Sequence, residues 1–173
     1  YLQGTDLTRF QILYENGDTS SFSYNVDTTR TKALKGPRWI PETNNVLTSF
    51  SDGNYNQIYE FNSVKKVYYQ LTTGYGNKYN AFVACSKYDT LLICNNNKKE
   101  IQIYRKTKEK TKYLYSIKKE CKQLFEVNSF VFNEKIFICF TTEVIDKKKL
   151  SSTIWISELN SRKPVVTEVL TLP

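Results

Sequence analysis

The sequence predicts an all-β chain built from antiparallel four-stranded repeats of about 45 residues. Three observations carry that prediction. Short apolar segments recur at one offset. They are rich in β-branched, aromatic and aliphatic residues. Clusters of Asn, Asp, Gly and Lys separate them, which is strand-and-turn punctuation. Val46-Leu47-Thr48-Ser49-Phe50, Leu91-Leu92-Ile93-Cys94 and Ile136-Phe137-Ile138-Cys139-Phe140 start 45 residues apart each time. Gln57-Ile58-Tyr59 recurs 45 later as Gln102-Ile103-Tyr104, and again as Thr153-Ile154-Trp155 after a displacement of 51. The segments around Tyr68 and Tyr113 keep the offset of 45 as well.

The second unit is the clearest, with NAFVACS, TLLIC, EIQIYRK and TKYLYSI as its four strands. EIQIYRK alternates Ile101 and Ile103 with Gln102, the pattern of a half-buried strand. TLLIC is a continuous apolar run, which suits a strand covered on both faces. The first unit reads RWIPETN, NVLTSFS, NQIYEFN and VKKVYYQL; the third reads VNSFVFN, KIFICFTT, STIWISE and PVVTEVL. Ahead of them, FQILYEN and SSFSYNV resemble the third and fourth strands of a further unit, joined at Asn16 to Asp18. The divisions expected are a partial unit at 1–34 and whole units at about 35–73, 74–124 and 125–173. The segment EVIDKKKLSS is read as a long loop that lengthens the third unit.

Four strands in 40 to 50 residues is the repeat length of a β-propeller blade. In strand order and in its apolar, turn, apolar layout, nearly the whole chain resembles a propeller of the WD-repeat type. It departs from that family at the signatures. There is no Gly-His pair, and Tyr59-Glu60, Tyr104-Arg105 and Trp155-Ile156 stand where Trp-Asp would follow the third strand. The resemblance implies an interaction scaffold of about three and a half blades. Such an arc leaves sheet faces uncovered, so either self-association or further blades of a longer chain are expected. No Met occurs in the chain, which fits a processed chain or a piece cut from something longer.

A competing reading remains open. KTKYLYSIKKECKQLF places apolar residues at 113, 114, 117, 121, 124 and 125, which is helical spacing. With TTGYGNKYNAF before it and GPRW at Gly36 to Trp39, that order loosely resembles a lipocalin-type barrel. A barrel or β-sandwich of this kind implies a small-ligand-binding or partner-neutralising secreted protein instead.

Composition bears on chemistry. There is no His, which removes the usual general base near neutral pH and the commonest metal ligand. Ser-His-Asp and Cys-His nucleophile systems are excluded within this chain. Cys85, Cys94, Cys121 and Cys139 lack close pairs of the zinc-binding kind, and their even number leaves two disulfides open. Basic neighbours of Cys121 would lower its thiol pKa if it were exposed. The acids Asp52, Glu60, Asp89 and Glu143 are scattered, and no Gly-rich phosphate loop is present. No catalytic, metal or cofactor site is therefore expected. No apolar run is long enough for a transmembrane helix. No Asn begins an N-x-Ser/Thr site, which leans toward an intracellular location without excluding a secreted mature chain.

The net charge of +8 is unevenly placed. Residues 1–90 carry nine bases and eight acids, so the later half holds the remaining +7. Its lysines gather in turns, and turns on a rigid scaffold are where binding residues sit. The candidate partner-binding residues are Lys98, Lys99, Lys118, Lys119, Lys147, Lys148 and Lys149, with Tyr55 and Tyr75. They are expected on one rim, facing a protein with an acidic surface. Nucleic acid is the less favoured partner, because Lys greatly outnumbers Arg.

Overall fold

In the computed structural model, the backbone is described for residues 2–6, 9–13, 19–23, 37–97, 99–108, 110–146, 149–159 and 165–172. Side chains are described from residue 37 onward within these ranges, Asp146 and Lys149 excepted. Fifteen strands and no helix occupy these residues. β1 (Leu2–Asp6), β2 (Arg9–Leu13) and β3 (Thr19–Ser23) form a three-stranded sheet. Three four-stranded antiparallel sheets follow, each with its strands adjacent in chain order. Sheet B holds β4 (Arg38–Trp39), β5 (Asn45–Ser51), β6 (Asn56–Asn62) and β7 (Val67–Gln70). Sheet C holds β8 (Lys78–Cys85), β9 (Thr90–Asn96), β10 (Glu100–Lys106) and β11 (Thr111–Lys118). Sheet D holds β12 (Gln123–Phe132), β13 (Lys135–Asp146), β14 (Lys149–Glu158) and β15 (Val166–Leu172).

The helical spacing through residues 113–125 does not become a helix. Its residues lie in β11, β12 and the crossover between them. Pairing explains the outcome: β10 offers β11 a full ladder from Glu100↔Lys118 to Lys106↔Thr111, a long-range arrangement that local periodicity does not register. The barrel alternative also gives way, because the described strands divide into one three-stranded and three four-stranded meanders. A second correction concerns EVIDKKKLSS. β13 and β14 stay paired out to Asp146↔Lys149, so the third unit is lengthened by an extended hairpin and not by a loop. At the other end of β13, Asn133 and Glu134 both adopt positive φ (47° and 62°), the geometry of a tight two-residue hairpin turn.

Sheet C is buried on both sides. Leu91 and Ile93 point into one core with Ile101, Ile103, Ile136, Ile138 and Phe140, which joins sheet C to sheet D. Leu92 and Cys94 point into another with Leu47, Ile58 and Leu71, which joins it to sheet B. All four residues of the Leu91–Cys94 run are at most 2% exposed. At roughly 1.5–3 kcal/mol per fully buried large aliphatic side chain, such runs dominate the stability of the stack.

The third strands share one orientation. Ile58 faces the following sheet from B, Ile103 does so from C, and Ile154 stands on the same side of D. Tyr104 and Trp155 face backward, toward the preceding sheet. The second strands do not obey the offset of 45. Leu47 points forward from sheet B, whereas Leu92, 45 residues on, points backward from sheet C into the same core. A strand repeats every two residues, so a one-residue difference in register exchanges its faces. Bulges recur too. The first strand of sheet C slips between Tyr79 and Phe82, and that of D between Phe125 and Asn128. Asn80 and Glu126, at those slips, adopt positive φ. The ladders to the fourth strands slip at Ile103/Tyr104 and Ile154/Trp155.

All four cysteines are free thiols, so the two-disulfide arrangement does not form. Cys94 is fully buried, and that burial pushes its thiol from 9.0 to about 12 against the pull of Lys78. The folded state therefore keeps a proton that the unfolded chain releases. Stability from this group is complete below pH 9.0 and falls between there and about pH 12. Cys94→Ala is expected to flatten that alkaline fall by up to ~1.4 kcal/mol per pH unit, read from urea midpoints across the range. An unchanged slope would contradict the assignment.

Candidate functional site

The turn from β5 to β6 is built by its own side chains. Asp52 Oδ1 accepts the backbone N–H groups of Asn54 and Tyr55, both at 3.0 Å, and Ser51 Oγ accepts that of Gly53. Burial raises the Asp52 carboxyl, but these bonds, Gln57 and Lys78 outweigh it and hold the group below its ordinary value. This turn presents Tyr55. Its ring meets that of Tyr75 edge-on at 5.0 Å, and Tyr75 is 77% exposed.

Tyr75 stands on the crossover from β7 to β8, which is braced from beneath. Lys78 is 1% exposed, and its ammonium donates to the carbonyls of Gly74, Tyr75 and Gly76 at 3.1–3.2 Å. Burial lowers its pKa, opposed by Cys94, Asp52 and Glu100. Gly76 has φ of 88°, and a Cβ there would collide with the amide side chains of Asn96 and Asn97. Asn77 joins three segments. Its Oδ1 accepts Asn56 N (2.9 Å), its own N–H donates to Asn97 Oδ1 (2.9 Å), and its carbonyl accepts Asn97 N (3.0 Å).

The rim continues through sheets C and D. Asn96 and Gln102 donate to Glu100 Oε1, and Lys118 pairs with Glu100 Oε2 at 3.2 Å. Burial raises the Glu100 carboxyl, yet these partners bring it below its ordinary value. Lys119 lies over the Trp155 ring at 3.8 Å from its centroid, a cation–π contact. Lys122 N donates to Glu143 O at 2.8 Å and ties the crossover from β11 to β12 to sheet D. Cys121 lies on this crossover. It is half-buried, and burial raises its thiol more than Lys99 lowers it, so the condition of exposure under which its basic neighbours would lower the pKa is not met.

Of the predicted binding residues, Tyr55 and Tyr75 are brought into contact. Lys99 is exposed on the β9–β10 turn, Lys118 ends β11, and Lys119 begins the crossover that follows. Lys118 and Lys119 are already engaged, by Glu100 and by Trp155. Lys98, Lys147 and Lys148 lie outside the described residues. Lys149 opens β14, and its side chain lies outside them too. Sequence reasoning missed the buried brace Lys78. Its only signal was a lysine flanked by two glycines and two tyrosines, which does not distinguish an inward from an outward cation.

The opposite rim holds a cleft of about 490 Å³ between sheets B and C. Glu60 and Lys106 line it, paired at 2.8 Å with side-chain exposures of 3% and 7%. Asn45 donates to Glu60 Oε1, while Lys106 also donates to the carbonyls of Thr107 and Lys108. All three ammonium protons are thereby used, so this pair clamps sheet B to sheet C and offers no cation to a ligand. No protein-family model matches the chain, and no curated protein matches it.

Proposed function

We propose that the chain is a non-catalytic interaction scaffold, its sheets being consecutive blades of a propeller-like arc. In this reading the rim around Tyr55 and Tyr75 engages a protein with an acidic surface. The observation that carries it is the contact of half-buried Tyr55 with exposed Tyr75, the latter on a crossover whose carbonyls are fixed by Lys78. A rigid aromatic pair costs little conformational entropy on binding, and tyrosines are enriched among residues that dominate interface energies. Lys99 and Lys118 sit farther along the same rim and favour an acidic partner through long-range attraction. The like orientation of Ile58, Ile103 and Ile154 supports the blade reading, since radial stacking requires each sheet to present the same face to the next.

A polyglutamate peptide is the test probe. Binding is expected to weaken as salt rises, because exposed charges are screened over about 8–10 Å at physiological ionic strength. Tyr75→Ala is expected to leave stability within about 0.5 kcal/mol, since the side chain is 77% exposed. It is expected to weaken binding at least tenfold. Affinity indifferent to both salt and Tyr75→Ala would overturn the reading. Tighter binding of duplex DNA than of polyglutamate would transfer the rim to nucleic acid.

A further inference from the structure

The side of sheet D that carries Ile154 is apolar across its centre. Phe137, Cys139 and Ile156 share this side by register, as do Phe130 and Leu170. Phe130 stacks on Phe137 at 5.3 Å with the rings 9° apart, so the two rings form one continuous apolar surface at that end. Phe130 and Leu170 are 43% and 47% exposed, and the four central residues are half-buried. The same side of sheets B and C is covered by the next sheet, and their third-strand isoleucines, Ile58 and Ile103, are both 0% exposed. Sheet D thus repeats the face that this chain twice packs against another sheet.

We propose that this face docks the same face of a second copy of the chain, giving a two-fold dimer through sheet D. Size supports it. Ten-residue strands β12 and β14 in a four-stranded sheet make a face roughly 33 Å by 19 Å. Two such faces would bury on the order of 1,200 Å², the lower end of stable specific interfaces. Charge bounds the face: Lys135 and Glu158 pair with each other at 3.1 Å at one end, and the Glu143 carboxylate shares this side by register two residues beyond Thr141, so the apolar centre lies between them and the dimer must leave Glu143 solvated or paired. This surface is separate from the Tyr55–Tyr75 rim, and the dimer stands or falls independently of what that rim binds.

Sedimentation of the whole chain tests it. The expected mass is twice 20.3 kDa. Ile156→Lys is expected to give a folded monomer with an unchanged far-ultraviolet circular dichroism spectrum, while Tyr75→Ala stays dimeric. Leu170→Asn, at a position already 47% exposed, is the milder second variant and is expected to weaken the dimer at least tenfold. The Cys139 thiol supplies a readout that needs no substitution: its alkylation should slow as protein concentration rises. A wild-type chain that remains at 20.3 kDa with concentration-independent Cys139 alkylation overturns the proposal. So does a dimer that withstands both face variants.

Discussion

Lys106→Ala is expected to cost about 3–5 kcal/mol of folding stability, the range for removing one partner of a buried ion pair. Glu60 would be left 2% exposed, with only the Asn45 amide beside it and no ammonium. Its Oε2 atom has no hydrogen-bonding partner other than that ammonium. A carboxylate desolvated to this extent is costly to keep charged without a partner. Removing both charges should behave differently. The double variant Glu60→Leu with Lys106→Met is expected to recover most of the loss, because apolar groups of similar size do not need partners. Urea unfolding of the two single variants and the double variant forms the cycle. A Lys106→Ala cost below about 1 kcal/mol would mean that the pair is solvated and does not clamp the sheets.

Ile103→Ala should be nearly as severe, at about 2–5 kcal/mol, because the side chain is 0% exposed between sheets C and D. Ile58→Ala belongs to the same class, between sheets B and C. Ile154→Ala, at the matching place in sheet D, is the informative contrast. Its side chain is half-buried, so in a dilute monomer the loss should stay below about 1.5 kcal/mol. Three isoleucines with one register and two burial states separate the effect of residue type from that of a covering sheet. Urea midpoints for the three alanine variants decide it, and equal losses at all three would show that sheet D is covered within one chain.

Much of the strand layout was legible before any coordinates. Gln57-Ile58-Tyr59, Gln102-Ile103-Tyr104 and Thr153-Ile154-Trp155 do fall in the third strands of three sheets, each with its isoleucine on the same side. Alternation within a strand makes such triplets register-specific. The second strands were harder. Leu91-Leu92-Ile93-Cys94 is apolar at every position, so aligning it with Val46-Leu47 by offset left the faces undetermined, and the structure puts Leu47 and Leu92 on opposing sides of one core. The helical pattern at 113–125 misled because β10 and β13 supply ladders that outweigh a chance spacing of apolar residues. The site was less legible than the fold. Tyr55 and Tyr75 were singled out separately, but their contact depends on Asn77 and Lys78 fastening two distant turns.

The sequence by itself determined that this chain is all-β, that its strands from about residue 35 onward come in groups of four, and that no histidine chemistry operates in it. These are local or compositional properties, written in alternation, turn residues and residue counts. Tertiary structure alone decided which face each strand presents, where the ladders slip, and which charges lie inside. Glu60, Lys78 and Lys106 look in sequence like any other acid or lysine. They become a clamp and a brace only when carbonyls and counter-charges distant in sequence converge on them, because burying an ion is tolerated where its partners are already in place.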